Sequence, residues 1–243
     1  MAEAITAGVE IDALYVEPGA DLGPVSHLVD TGVDVIEVGK GSLRKVLDLV
    51  NPQAMVALAR QRPATLAEVV GAARERSRPV LALIGLQDPG NAGTLVRVAE
   101  AAGCAGVVLT EGSVDPWNPK VVRASAGALF RVPVVSEVDA AAMLSVAEAA
   151  GLGIVATVAT EGKLPEATDL AAPSVLLVGA EAHGLPPEVE QRATIRATIP
   201  MEGAVESLNA GIAGALLAFE AARQRRGASG ESGSWSATPD GPE

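Results

Sequence analysis

Ile199-Pro-Met-Glu-Gly-Ala-Val-Glu-Ser-Leu-Asn209 joins two apolar runs of different character. Before it, Ala193 to Ile199 reads as a short strand. After it, Ala210 to Ala222 repeats small and apolar residues at helical spacing. Between them lie two carboxylates, Glu202 and Glu206, with Gly203, Ser207 and Asn209. Ser207 or Glu206 is placed to cap the helix, whose first turn has free N–H groups and partial positive charge. Such a joint suits an anion or a polar ligand. An ordinary strand–loop–helix connection with a serine cap reads the same way, so the stretch gains meaning only from others like it.

Working outward, the 243 residues suit one large or two small domains. Aliphatic residues dominate: 49% of the chain is hydrophobic but only 2% aromatic, so the core is built from Ala, Val, Leu and Ile. Val-rich runs alternating with Ala-rich runs predict an α/β protein with a buried, mostly parallel sheet. The single Cys104 excludes an intrachain disulfide framework and fits a reducing cytoplasm. No run is long and apolar enough for a membrane span. The net charge of −12 argues against indiscriminate nucleic-acid binding. Local basic clusters (Lys40, Arg44 and Lys45; Arg60, Arg62, Arg74, Arg76 and Arg78) still offer faces for a phosphate backbone, or are solvated helix faces.

Residues 1–60 carry a small α/β pattern, with strands at Ile11–Val16, Val33–Val38 and Met55–Ala59. Helices are predicted over Ala2–Ala7, Leu22–Asp30 and Ser42–Leu49, the last capped by Ser42, with a break at Asn51-Pro52. Residues 61–79, bracketed by Pro63 and Pro79, read as a connector with a charged helical stretch. Residues 80–226 form the larger domain. Its strands are Val80–Leu86, Gly106–Thr110, Arg131–Val135, Gly153–Ala159, Ser174–Gly179 and the run before the opening stretch. Its helices are Thr94–Ala102, Asn118–Leu129, Val138–Ala150, Pro187–Arg192 and the last run. Residues 227–243 are rich in Gly, Ser and Pro, acidic and poor in aliphatics, the composition of a disordered tail.

Three polar, glycine-containing loops follow strands: 87–93, 179–187 and 200–209. In open α/β sheets ligands bind beyond the strand carboxyl ends. Nucleotide fingerprints fail, because Gly90-Asn-Ala-Gly93 lacks a first glycine and there is no Walker lysine. One Cys and two distant His, His27 and His183, make no metal set, so no metal is expected. His183 reads as a surface loop histidine. From residues alone the chain is an α/β enzyme or binding protein with a small ligand at three loops.

Resemblance extends this reading. Asp88-Pro-Gly-Asn-Ala-Gly-Thr-Leu-Val-Arg97, Val178-Gly-Ala-Glu-Ala-His-Gly-Leu185 and the opening stretch resemble, in order and spacing, the three motifs of the SpoU (TrmH-type) RNA ribose 2′-O-methyltransferases of the SPOUT superfamily. Arg123-Ala-Ser-Ala-Gly-Ala-Leu-Phe130 resembles a further family segment, and the likeness covers about residues 80–225. Residues 1–60 more weakly resemble the ribosomal-protein-like RNA substrate-binding domain that precedes many such catalytic domains, best at Asn51-Pro-Gln53, with the opening strand and part of the first helix abbreviated.

The resemblance implies a carboxyl-terminal trefoil knot, against the usual rule of unknotted chains. It implies S-adenosylmethionine as cofactor, held near Gly179, Ala180, Glu181, Gly184, Ile199, Met201, Ser207 and Leu208. It implies an RNA substrate, ribosomal RNA first and transfer RNA second, and a homodimer with active sites at the interface. Catalytic candidates are Asn91, Arg97, Glu181, Ser207 and Asn209. Arginine stays protonated and makes a poor base. A clamp on phosphate or on a developing alkoxide ranks ahead of a general-base role for Arg97. Asn91 and Asn209 orient ribose or a loop, and Glu181 touches substrate or holds the loops together. The rival from another class is a non-catalytic RNA-binding protein retaining the fold; base methylation on a related knotted fold is a third reading.

Overall fold

A computed structural model describes residues 1–26, 28, 32–47 and 53–228. The chain divides into two units, Met1–Pro63 and the residues from Ala64 onward. Expectations falling on residues 27, 29–31, 48–52 and 229–243 lie outside the described residues. These are the far part of the helix read over 22–30, the end of that over 42–49, the Asn51-Pro52 break, and the tail beyond residue 228.

The first unit contains α1 (Ala2–Thr6), β1 (Ile11–Val16), β2 (Asp34–Glu37), α2 (Ser42–Leu47) and β3 (Met55–Ala59). Its sheet has the order β2-β1-β3, with β1 parallel to β2 and antiparallel to β3. Ile11, Leu14, Val16 and Val25 form its small core. Within the segment read as a helix over 22–30, Gly23–Val25 is a 3₁₀ turn. Ser42, read as the cap, is the first residue of α2. Gly41 N and Leu43 N instead donate to the carboxylate of Glu17, each at 2.9 Å, which holds that carboxyl below the usual carboxylate range.

The second unit is built on β4 (Val80–Ile84), β5 (Gly106–Thr110), β6 (Val134–Val138), β7 (Gly153–Thr157), β8 (Ser174–Gly179) and β9 (Ile195–Ala197). These make one sheet of order β6-β5-β4-β8-β7-β9, parallel at every pairing. Its helices are α3 (Leu66–Arg76), α4 (Pro89–Ala101), α5 (Pro119–Ala124), α6 (Ala140–Ala149), α7 (Pro187–Glu190) and α8 (Ala210–Ala228).

The two faces of the sheet are read directly from strand alternation. Leu81, Leu83, Leu176 and Val178 face a core shared with α4, α5 and α8. Val80, Ala82, Ile84, Val175 and Leu177 face a second core shared with α3, α6 and α7. A fully buried leucine or isoleucine here contributes roughly 1.5–3 kcal/mol. The register pairs Ile84 with Gly179, and Thr157 with Ala197. The loops that follow β4, β7, β8 and β9 therefore leave from one edge of the sheet.

Several sequence expectations are corrected. Residues 61–79 are not a free connector: Val69, Val70 and Ala73 of α3 are buried in the second unit's core, and Val69 lies against Gly106 of β5. Thr65 and Glu68 form a reciprocal capping box that starts this helix. The glycine-rich segment 87–93 is largely the first turns of α4. Asp88 accepts the Asn91 N–H at 2.7 Å and Pro89 stands at the first helical position, so Gly90 does not interrupt it. The helix read over 118–129 stops at Ala124, because Ala126 (φ 49°) and Gly127 (φ 88°) take left-handed backbone. β6 lies three residues later than expected. α8 continues to Ala228, six residues past the end read for it. Its first turn is capped by Asn209, whose Oδ1 accepts the Ile212 N–H at 3.2 Å, and not by Ser207 or Glu206.

The segment between β7 and β8 is stapled to the rest of the unit. Gly162 N donates to Thr198 Oγ1 (2.8 Å), Lys163 N to the Arg196 carbonyl (2.8 Å) and Thr198 N to the Lys163 carbonyl (2.9 Å). Gln224 of α8 accepts from Leu170 N (2.8 Å) and donates to the Pro165 and Thr168 carbonyls at 3.2 and 3.0 Å.

Candidate cofactor and active site

A cleft of about 340 Å³ opens where these loops meet. It is lined by the end of β7 (Thr157, Val158, Ala159), the loop after β8, the loop after β9, and Ala210 and Ala213 of α8. Gly179, Ala180, Glu181, Gly184, Ile199, Met201, Ser207 and Leu208, the eight residues expected at a cofactor, all line it. A cleft of this size is within the range that holds a small molecule.

Two close approaches shape it. A Cβ on Gly179 would stand 2.3 Å from the carbonyl carbon of Gly184, so the β8 loop folds back on itself only with glycine there. Ala180 and Gly184 exchange backbone hydrogen bonds of 3.1 and 2.9 Å across that turn, with Gly184 at φ +65°. On the helical side, a Cβ on Gly214 would meet Leu95 of α4 at 2.7 Å and Val178 at 3.0 Å. Small residues thus let α8 lie close over β8 and α4.

The three motif segments are joined through side chains. Asn91 Nδ2 donates to Glu181 Oε1 at 2.7 Å. A Cβ built on Gly211 would lie 3.0 Å from Asn209 Oδ1 and 3.1 Å from Asn91 Oδ1, so both amides converge over the start of α8. Ser207 is exposed on the cleft wall and makes no hydrogen bond among the described residues.

Arg97 stands apart. It is six residues beyond Asn91 on α4, which carries it about 9 Å along the axis and roughly 240° around it. It does not line the cleft, it is exposed, and it has no hydrogen bond or ion pair among the described residues. Glu100, one turn on, is engaged by Arg131 instead. Four expected catalytic residues therefore gather at one place, and the fifth points elsewhere on the same chain.

Sequence reading missed the β7 contribution. Thr157, Val158 and Ala159 stand at the carboxyl end of a strand that was recognised, and the rule that brought the other loops forward applies equally to it. His183, read as a surface histidine, is exposed and also lines the cleft. Thr157 Oγ1 is buried and has no hydrogen-bond partner among the described residues. Among the described residues, no group of three or more His, Cys, Asp and Glu is arranged to hold a metal ion. No helix there is long and apolar enough to cross a membrane.

Fold and cleft together define a parallel α/β protein with a small-molecule site at the strand carboxyl ends. Residues 78–219 match the SpoU rRNA Methylase family, and the chain belongs to that family. A Synechocystis protein described as an uncharacterized tRNA/rRNA methyltransferase is 35% identical over 187 residues, 77% of this chain and 66% of that one. The 23S rRNA (guanosine(2553)-2′-O)-methyltransferase RlmP of Bacillus subtilis is 29% identical over 195 residues, 79% of this chain and 73% of that one. The structure of an AdoMet-bound rRNA methyltransferase from Sinorhizobium meliloti superposes with a TM-score of 0.80 at 32% identity, over 91% of this chain and 83% of that one.

Proposed function

We propose that this protein is a cytoplasmic S-adenosylmethionine-dependent methyltransferase that modifies a ribose 2′-hydroxyl of RNA, with ribosomal RNA as its substrate. The observation that carries the reading is that the second and third motif segments line one cleft and the first is tied to it by the Asn91–Glu181 hydrogen bond. The residues present fit the cofactor. The cleft has an apolar wall in Val178, Ile199, Leu208 and Ala213 and a glycine cradle at Gly179. S-adenosylmethionine supplies an electrophilic methyl group when bound.

The chain's own residues do the rest. The loops after β8 and β9 hold the cofactor and keep water from one side of it. Asn91, fixed by Glu181, and Asn209, fixed as the cap of α8, orient the ribose. Ser207, free on the cleft wall, is available to the incoming hydroxyl. Arg97 is a clamp on the RNA phosphate and on negative charge developing at the 2′-oxygen, since a guanidinium does not give up its proton.

Arg97 serves the cleft of a second copy in a homodimer. Ile212, Leu216 and Phe219 of α8 support this: they are 52%, 46% and 47% exposed, at spacings of four and three that align them on one face. A two-fold axis would set that face against itself and carry each α4 toward the partner's cleft. The parallel bridge between Lys163 and Ala197, with Gln224 of α8 holding residues 165–170 beyond it, supports a carboxyl-terminal knot. Met1–Pro63 is assigned to RNA binding, supported by the exposed Lys40, Arg44 and Lys45 around the start of α2.

Incubation with methyl-labelled S-adenosylmethionine and unmodified ribosomal and transfer RNA, followed by digestion to nucleosides, tests the reading. Label on the ribose of a ribosomal nucleoside is expected. Label on a base would replace the reaction. Cofactor binding without incorporation into either RNA would favour a non-catalytic RNA-binding protein.

A further inference from the structure

We propose that the arginine cluster at the amino edge of the second unit's sheet is a second contact for the RNA substrate, holding phosphates of a stretch remote from the methylated ribose. The proposal rests on the RNA reading above and adds a surface that none of the three motifs reaches. Three helices end there. Ala105 N donates to the Pro79 carbonyl at 2.8 Å, which sets the turn after α4 against the turn after α3. Arg225, near the end of α8, reaches into the same place, where its Nη2 donates to the Ala102 carbonyl at 2.7 Å. The charges of Arg78 and Arg225 both act on the buried Cys104, and those of Arg78 and Arg226 both act on Arg225. Arg74 and Arg76, exposed in the last turn of α3, extend the cluster on the other side of Arg78.

The cluster lacks a counter-charge. Arg60, Arg131, Arg192, Arg196 and Arg223 are each paired with a carboxylate. Arg74, Arg76, Arg78 and Arg225 have no ion pair among the described residues. Glu75 is the one carboxylate in the segment 74–78. Burial, joined by the like charges of Arg78 and Arg226, lowers the pKa of Arg225 from its ordinary value. The Cys104 thiol is no counter-ion, because burial pushes its pKa up to about 11 and leaves it neutral at physiological pH. Arginines in the last turn of a helix complement its dipole, which accounts for Arg74, Arg76 and Arg226 one by one. It does not account for Arg78, which lies beyond α3 and repels the half-buried Arg225, in a chain whose net charge is −12. A polyanion supplies the missing charge. Phosphates suit it: a guanidinium binds them in bidentate fashion, and duplex nucleic acid presents one about every 1.7 Å of its axis. The five residues of β4 put the cluster about 15 Å from the loops around the cleft, a span that well under one turn of duplex covers.

The test uses the full chain and an RNA duplex of arbitrary sequence, with affinity measured over a salt series. Log affinity falls with log salt by about 0.9 for each duplex phosphate neutralised. Arg78→Gln is expected to lower that slope by about 1, and Arg76→Gln combined with Arg78→Gln by about 2. Arg78→Lys keeps the charge and should keep the slope. With ribosomal RNA and methyl-labelled S-adenosylmethionine, the double variant should raise KM about fivefold at unchanged kcat. Its ligand-free Tm should stay at or above wild type, since both side chains are exposed and a repelling charge beside Arg225 is gone. A lower Tm with an unchanged slope marks a structural role and overturns the proposal, as does an unchanged slope at wild-type stability. Poly-L-glutamate that competes as well as the duplex would assign the cluster to an acidic protein and overturn it too. A wild type that binds the duplex through these arginines but transfers no methyl group overturns the methyltransferase reading and leaves this contact standing. A wild type that methylates, with a KM the double variant does not move, keeps that reading and removes this one.

Discussion

The cleft and the ridge formed by the exposed faces of α4 and α8 share α8, yet their side chains are in opposite conditions. At the cleft and beside it, Asn91 is tied to Glu181, Asn209 caps α8, and the Gly179 turn closes on Gly184. On the ridge, Arg97 has no partner among the described residues, and Ile212, Leu216 and Phe219 lie about half exposed. One chain thus builds a complete place for a small molecule and an incomplete place for chemistry on RNA. On the proposed reading, cofactor affinity belongs to the single chain and turnover to a pair, and each half of that statement can be tested separately.

Arg97→Ala strains this separation hardest. Loss of a charged transition-state contact costs about 3 kcal/mol or more, a hundredfold or greater in rate, while calorimetric affinity for S-adenosylmethionine stays near wild type. A variant that loses cofactor binding with its dimer intact would place Arg97 in the cleft. Mixing Arg97→Ala with Ala213→Phe, which fills the cleft, sharpens the point. Activity should return if Arg97 serves the partner, because one site of the mixed dimer then carries neither lesion. It should stay absent if Arg97 serves its own chain.

Leu216→Asp comes next. A charge in the middle of the apolar stripe is expected to cost about 2 kcal/mol or more of association, roughly thirtyfold in dimer Kd. Sedimentation should show monomers that still bind cofactor and no longer methylate RNA. A Leu216→Asp monomer with full turnover would break the comparison outright. Asn209→Ala has the smallest expected effect and belongs to both regions, since α8 carries the cleft wall and the ridge together. Loss of its cap costs about 1 kcal/mol, or about 2–4 °C in Tm for a unit of this size. Cofactor affinity should fall modestly with it. Full stability together with lost turnover would make Asn209 purely catalytic.

Much of this was legible in the sequence where local rules agree. Continuous valine and leucine runs became the buried parallel strands, and the loops after β8 and β9 share a cleft at their carboxyl ends. What failed had competing local causes. Ser207 and Glu206 looked like caps, but Asn209, immediately before Ala210, satisfies the first turn. Gly90 looked like loop, but Asp88 and Pro89 start a helix through it. Arginines around Val69, Val70 and Ala73 suggested a solvated connector, and three small apolar residues were enough to bury one face of α3. That Arg97 faces away from Asn91 follows only once α4 is known to begin at Pro89.

The Gln224 staple also sets a timetable. The segment between β7 and β8 is fixed by three hydrogen bonds to a side chain near the end of α8, and the cleft takes two residues from the same helix. At a synthesis rate of about 5–20 residues per second, Gln224 is added roughly 10–30 s after Pro63. During that interval the nascent chain can settle its first unit while the cofactor site still lacks a wall. A ribosome-bound chain stalled before α8 would therefore be unable to load the methyl donor.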